Sequence, residues 1–316
     1  RIAFMYKFGR AKMKDLVSLL GGRDFESRDY KEEIAAESFK LLTEGVMDMM
    51  NEYSFCNFVL TIKSAGFIDS KLINSRVTLD FAYTLYLLLQ TDPKIDKNQI
   101  KRYVAKWYVM ATITSRYISS PETMMDMDIR RIEERGFVNY FQEVEEANLS
   151  ETFWTIGLVQ SLETSAVNSP FFNTFLAAQI RNGESALFSD GSKIADLISI
   201  IGDVHHIFPK KYLIRNGYTE KSKYNQIANY TYLDTQVNKA ISDDAPDVYF
   251  NRAFARCEMG TAAYGNITNR ASLEENLTRN CIPAEIVRSP NPDYDEFLNE
   301  RRKRMAQKIR TYYYSL

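Results

Sequence analysis

The segment Asp203-Val204-His205-His206-Ile207-Phe208-Pro209-Lys210 holds the only two histidines of this 316-residue chain, and its reading decides the fold of the second half. Proline fixes its own backbone angle and restricts the residue before it, so a strand running through the histidines is expected to end near Phe208. Adjacent side chains on a strand point to opposite faces, and the two rings converge only where a bend or loop intervenes. Pro209 supplies that interruption. Downstream, Lys210-Lys211-Tyr212-Leu213-Ile214-Arg215-Asn216-Gly217 predicts a short helix with a glycine stop. The alternating, β-branched and aromatic run Ile227-Ala228-Asn229-Tyr230-Thr231-Tyr232-Leu233-Asp234 predicts a second strand. Thr235 to Ser242 predicts a helix with Asn238 in its first turns. The expected order is strand, loop, strand, helix.

The residue types in this frame point to phosphodiester hydrolysis at a single metal. Such a reaction needs a base to take a proton from water and a cation to stabilise charge on the phosphate and the leaving oxygen. Imidazole accepts a proton near neutrality, and a neighbouring imidazole held at another angle can donate a lone pair to metal. A His-His dipeptide alone is weak evidence and is more often incidental. Ile-x-Pro directly after it, with Asn229 and Asn238 lying 23 and 32 residues past His206, sets it apart from an incidental pair or a structural metal site.

On these residues the sequence resembles the HNH, or His-Me finger, endonucleases, whose motif is Asp/His-His-Ile-x-Pro, then Asn, then Asn or His. The resemblance implies that His206 is the general base, His205 a metal ligand, Asn229 a brace for the loop carrying the base, and Asn238 an oxygen ligand. Asp203 is expected to orient a ligand or a metal-bound water. Many members carry aspartate where this chain has His205, and others histidine where it has Asn238. The mixed nitrogen and oxygen set favours Mg²⁺ or Mn²⁺ and keeps Ni²⁺ or Zn²⁺ open.

A longer resemblance covers almost the whole chain. Arg102-Tyr103-Val104-Ala105-Lys106-Trp107, Arg116-Tyr117-Ile118-Ser119-Ser120-Pro121-Glu122 and Ser169-Pro170-Phe171-Phe172-Asn173 look like the helical middle region of GmrSD-type restriction proteins. Gly202 to Lys210, followed by Tyr224-Asn225-Gln226-Ile227-Ala228-Asn229, is similar to the nuclease signature of that family. There a helical region joins an N-terminal ParB-like nucleotide-binding domain to a C-terminal HNH nuclease. This chain opens Arg1-Ile2-Ala3 and shows neither that nucleotide site nor a phosphate-binding loop of the G-x-x-x-x-G-K-[ST] type. The resemblance therefore implies a C-terminal part whose nucleotide-binding partner domain lies elsewhere.

Composition fits this frame. Hydrophobic residues make up 45 % of the chain and glycines and prolines are few, so helix should dominate around substantial cores. Apolar positions recur at helical spacing, as in Ile34, Phe39, Leu42, Val46 and Met49, or Phe81, Leu85 and Leu88. Ser120 and Pro121 read as a cap and first-turn pair. Cys56, Cys257 and Cys281 lack metal-type spacing and read as reduced, buried thiols. No signal peptide or membrane-length apolar run is apparent, which predicts a cytoplasmic protein. A net charge of -1 excludes a globally basic nucleic-acid binder. Between Asp203 and Lys239, however, six basic residues face three acidic ones. Lys210, Lys211, Arg215 and Lys239 are the expected contacts to a DNA backbone. The run Arg301-Arg302-Lys303-Arg304, on a helix from about Pro292 to Tyr314, reads mainly as a solvated face balanced by Asp293, Asp295, Glu296 and Glu300.

The expected fold is mainly α. A helical domain over 1–150 precedes a nuclease domain over 151–316, with a small ββα-metal core at about 200–245 wrapped by further helices. The expected function is metal-dependent DNA cleavage in a restriction system that defends against phage or modified foreign DNA. A catalytically inactive DNA-binding or scaffold module of the same fold is the alternative, and a homo-oligomer stays open.

Overall fold

A computed structural model describes residues 1–24, 27–199 and 204–316. Two compact units emerge from the internal packing, one of residues 1–65, 75–150 and 316, the other of residues 66–74 and 151–315. The described residues are predominantly helical, with one two-stranded antiparallel sheet. None of their helices is long and apolar enough to cross a membrane.

Among the described residues the first unit is helical apart from an isolated bridge between Arg23 and Tyr30: α1 (Ile2–Phe8), α2 (Met13–Leu20), α3 (Glu32–Met49), α4 (Glu52–Ser64), α5 (Arg76–Thr91), α6 (Ile100–Ile113), α7 (Pro121–Arg135) and α8 (Phe137–Asn148). Its core forms where α5 and α6 pack. Trp107 on α6 is fully buried and stacks on Phe81 of α5 at 5.7 Å. The indole N–H donates to the Tyr117 hydroxyl at 3.0 Å, and that hydroxyl donates to Asp128 on α7 at 2.7 Å. Asp128 has no exposed surface and also accepts from Arg116 at 2.8 Å and from Tyr140 at 2.7 Å. A carboxylate removed from water is costly unless paired and hydrogen-bonded, and this set of donors meets both conditions. Trp107, Arg116 and Tyr117 therefore have a structural task inside the bundle. Several positions depart from expectation. Phe39 sits on α3 as its spacing predicts but is 54 % exposed, and Cys56 is an exposed thiol, whereas Cys257 and Cys281 are buried. Ser120 precedes Pro121 without a side-chain cap bond.

The second unit comprises α9 (Leu158–Ser161), α10 (Pro170–Arg181), α11 (Ile194–Ser199), β1 (Val204–His206), α12 (Lys210–Arg215), α13 (Lys221–Tyr224), β2 (Tyr230–Tyr232), α14 (Thr235–Ile241), α15 (Pro246–Glu258), α16 (Arg270–Arg279), α17 (Ala284–Val287) and α18 (Tyr294–Ser315). Residues 66–74 join it through Asn173 on α10, whose amide donates to the Lys71 carbonyl at 3.2 Å and to Asn74 at 2.8 Å. Gly66 has φ +98°, and a Cβ there would stand 2.1 Å from the Ala177 carbonyl oxygen, so the close approach to α10 requires glycine. Ser169 accepts from the Phe171 N–H at 3.3 Å and starts α10 with Pro170 in its first turn.

The sheet is short, and helices complete its burial. The loop before α11 lies along β2, where the Leu187 N–H donates to the Tyr232 carbonyl at 3.1 Å. Asn276 on α16 fixes that loop by accepting from the Phe188 N–H and donating to the Ala186 carbonyl, both at 3.0 Å. The 22-residue α18 supplies the other wall. Tyr294, Leu298, Arg301, Met305, Ile309 and Tyr312 are all buried and recur at helical spacing, with an arginine in the middle of an otherwise apolar and aromatic stripe.

Candidate active site

β1 pairs antiparallel with β2 in the register Val204 with Tyr232, His205 with Thr231 and His206 with Tyr230. The ladder gains one further bond, from the Ile207 N–H to the Asn229 carbonyl at 2.8 Å. Ile207 and Phe208 then bend the chain, and α12 begins directly after Pro209. The strand thus ends at His206 with one ladder bond beyond it, slightly short of the expected end near Phe208, and the next two residues serve as anchors. Both are buried, and Phe208 packs on Phe297 of α18 at 4.7 Å. The Tyr249 hydroxyl of α15 donates to the Ile207 carbonyl at 2.6 Å.

Asn229 lies in a 3₁₀ turn, Ile227–Asn229, and not on the strand expected over 227–234, which is confined to Tyr230–Tyr232. The apolar run that reads as strand is buried for another reason, since Ile227, Ala228 and Asn229 are all covered at 0 % exposure. The Asn229 side chain accepts from the Phe208 N–H at 2.8 Å and donates to the Phe208 carbonyl at 3.1 Å and the Tyr224 carbonyl at 3.4 Å. One amide thereby satisfies both backbone groups of the residue at the bend. It ties the segment after His206 to the segment before β2.

A second brace comes from the C-terminal helix. Arg301, 1 % exposed, donates through Nη1 to the carbonyls of Ala228 at 2.8 Å and Tyr230 at 2.7 Å, the two residues flanking Asn229. Its Nη2 donates to the Asn280 carbonyl at 3.2 Å. Burial pushes its pKa down to about 10, which leaves the guanidinium charged near neutrality. For Arg301 the expected solvated face is therefore overturned: three main-chain dipoles hold this cation inside the protein. Arg302 is also largely covered and bonds Gln226 at 2.9 Å, while Lys303 is exposed. The helix carrying them runs Tyr294–Ser315, starting two residues later than the reading from Pro292.

The bend, β1 and α14 enclose a cavity of about 130 Å³ lined by Val204, His205, His206, Lys210, Asn238 and Ser242, among others. His205, His206 and Asn238 all contribute to its lining, and Asn229 braces the bend that follows His206. Asp203 lies outside the described residues. Among the described residues no group of three or more His, Cys, Asp or Glu side chains is placed to hold a metal. The cavity's own polar lining is instead two imidazoles, an amide, a hydroxyl and the Lys210 ammonium. Ser242, at the end of α14, adopts φ 54° and ψ −113°, a strained conformation for a residue with a side chain.

His206 packs edge-on against Tyr230, with centroids 5.1 Å apart at 82°, and its Nε2 lies 3.0 Å from Asn225 Oδ1. Burial disfavours the charged ring and lowers its pKa from the ordinary value, with the Lys210 charge adding to the decrease and the Asn225 bond opposing it. The ring is accordingly neutral near pH 7.

Of the four expected DNA-contacting cations, Lys210 lines the cavity, and its Nζ sits over the Tyr224 ring at 5.0 Å. Lys211 and Lys239 are exposed. Arg215 is exposed but committed to Asp243, bonding its carboxylate at 2.8 Å and its carbonyl at 2.9 Å. Sequence reasoning missed Asn225, Tyr249 and Arg301. For Arg301 a signal existed, since it occupies a core position of a periodic helix. Comparison with known proteins found no matching family model, curated protein or solved structure.

Proposed function

We propose that this chain is a metal-dependent DNA endonuclease of the HNH, or His-Me finger, type, built around a ββα module and acting as the cutting part of a restriction-type defence against foreign DNA. The observation that carries this reading is that His205, His206 and Asn238 line one cavity, with Asn229 bonded to both backbone groups of the bend that follows His206. The order of elements, a strand ending at the histidines, a second strand and a helix bearing Asn238, supports the same reading. By the resemblance to GmrSD-type proteins, nucleotide binding would belong to a separate ParB-like domain.

His205 and Asn238 would hold the cation, and Asp203 is assigned to the same task from sequence. Such a mixed oxygen and nitrogen set would suit Mg²⁺ or Mn²⁺, and the imidazole would also admit Ni²⁺ or Zn²⁺. The bound ion supplies positive charge opposite the phosphate and the leaving oxygen. His206 takes one proton from a water molecule, and the water oxygen forms the new bond to phosphorus. The bond from phosphorus to O3′ breaks with its electron pair on O3′, which takes a proton from solvent. The products are a 5′-phosphate and a 3′-hydroxyl, and His206 returns its proton to water. Lys210 draws the phosphate into the cavity, and Asn229 keeps the bend in place throughout.

Cleavage of supercoiled plasmid DNA, modified and unmodified, tests the reading. Nicked or linear product should form with Mg²⁺ or Mn²⁺ and vanish with EDTA; a folded, metal-loaded protein that leaves every substrate intact overturns it. Lys210→Ala is expected to weaken DNA binding alike for all sequences and to flatten the salt dependence of log K by about one unit of slope. Arg215→Ala, whose guanidinium is already held by Asp243, should change binding less. Fluorescence anisotropy over a salt series compares the two.

A further inference from the structure

Asn225 ends α13, four residues before Asn229, and takes no part in the scheme above. Its Oδ1 faces Nε2 of His206 at 3.0 Å. An amide oxygen only accepts, so this contact is a hydrogen bond when Nε2 carries the ring proton. A neutral imidazole protonated at Nε2 keeps its lone pair on Nδ1. The reversed amide would donate to Nε2 and put the ring proton on Nδ1, leaving no lone pair for water.

The surroundings fix the backbone that carries Asn225. Its N–H donates to the Lys221 carbonyl at 3.0 Å. The carbonyl of Tyr224, the residue before it, accepts from both Asn229 Nδ2 and the Tyr294 hydroxyl at 3.4 Å. The base and its partner are therefore fixed through one set of braces, since Asn229 anchors the bend after His206 and the backbone next to Asn225 alike. Tyr230 against the edge of the ring limits its rotation.

We propose that Asn225 is a positioning residue that holds His206 in the Nε2–H tautomer and leaves Nδ1 as the proton acceptor for the attacking water. This rests on the nuclease reading. Asn225 acts through the imidazole and touches no reacting atom. The comparable arrangement at metal sites, a partner that fixes ring orientation and tautomer through the distal nitrogen, sets the scale of the effect.

The test uses the fact that the chain has only two histidines. Long-range ¹H–¹⁵N spectra of the metal-free, ¹⁵N-labelled full chain, recorded in alkaline buffer where both rings are neutral, report the tautomer of each; a His205→Gln sample assigns the His206 signals. The wild type should show His206 as the Nε2–H form. Asn225→Ala should shift the signals toward a tautomer mixture, and Asn225→Asp, which keeps an oxygen acceptor, should restore the Nε2–H pattern. In single-turnover cleavage Asn225→Ala should be slower by about 10- to 100-fold with DNA affinity unchanged, and Asn225→Asp should recover most of the loss. A wild-type His206 in the Nδ1–H form, or a pattern and rate indifferent to Asn225→Ala, overturns the proposal. A wild type with the Nε2–H pattern that cuts no DNA overturns the nuclease reading instead, because the spectrum decides the tautomer without any activity.

Discussion

Replacing His206 with alanine should slow DNA cleavage by about 100- to 10,000-fold while leaving the protein folded and able to bind DNA. The magnitude is that of losing a positioned general base, with the phosphate-binding groups still in place. The fold should persist because the sheet pairs through backbone, and the bend after His206 is anchored independently by Asn229, Tyr249 and Phe208 packing. The edge contact with Tyr230, the looser contact with Tyr224 and the bond to Asn225 disappear. Single-turnover rates at saturating metal, with circular dichroism as a check on folding, give the comparison. A module that has kept the fold and lost the chemistry would show equal wild-type and His206→Ala traces.

The second large effect is expected at Asn229, and it combines stability with activity. Asn229→Ala removes the acceptor for the Phe208 N–H and the donor to its carbonyl, both buried. An orphaned buried backbone group costs about 1–3 kcal/mol, so an overall loss of about 2–4 kcal/mol follows after some relaxation. Cleavage should fall at least as far as in His206→Ala, because the bend carries the strand end on which both histidines sit. Urea denaturation measures the first and plasmid nicking the second. A variant as stable and as active as wild type would mean that Asn229 is not the brace of this loop. Asn229→Asp keeps the acceptor for the Phe208 N–H but sets a buried carboxylate oxygen against the Phe208 and Tyr224 carbonyls, so it too should destabilise the bend.

The sequence made the cavity legible and hid its scaffold, for physical reasons. His205, His206, Pro209 and Asn238 could be read because local rules govern them: a proline ends a strand, and a capped turn starts a helix that carries Asn238. Asn229 was legible as a residue but misplaced on a strand, because burial beneath neighbouring elements produced the same apolar run that a paired strand would. Phe39 shows the converse: helical spacing located α3 correctly but did not say which face meets a partner within the unit. Arg301, Tyr249 and Asn225 act through contacts made only on folding, with Arg301 reaching carbonyls more than seventy residues away in the chain. In a run of four basic residues, charge composition favoured the solvated reading. The periodicity of α18, which places Arg301 between Leu298 and Met305, was the better guide.

On the proposed reading, two adjacent imidazoles take distinct tasks, one toward a cation shared with Asn238 and one toward water. Anomalous diffraction at the manganese edge from crystals grown with Mn²⁺ addresses this division directly. The account predicts a single Mn²⁺ peak in the cavity between β1 and α14, within bonding distance of the His205 imidazole and the Asn238 side chain, with the His206 ring adjacent and not coordinated. An ion bound by His206, or Mn²⁺ seated anywhere that leaves His205 and Asn238 without it, would contradict the account.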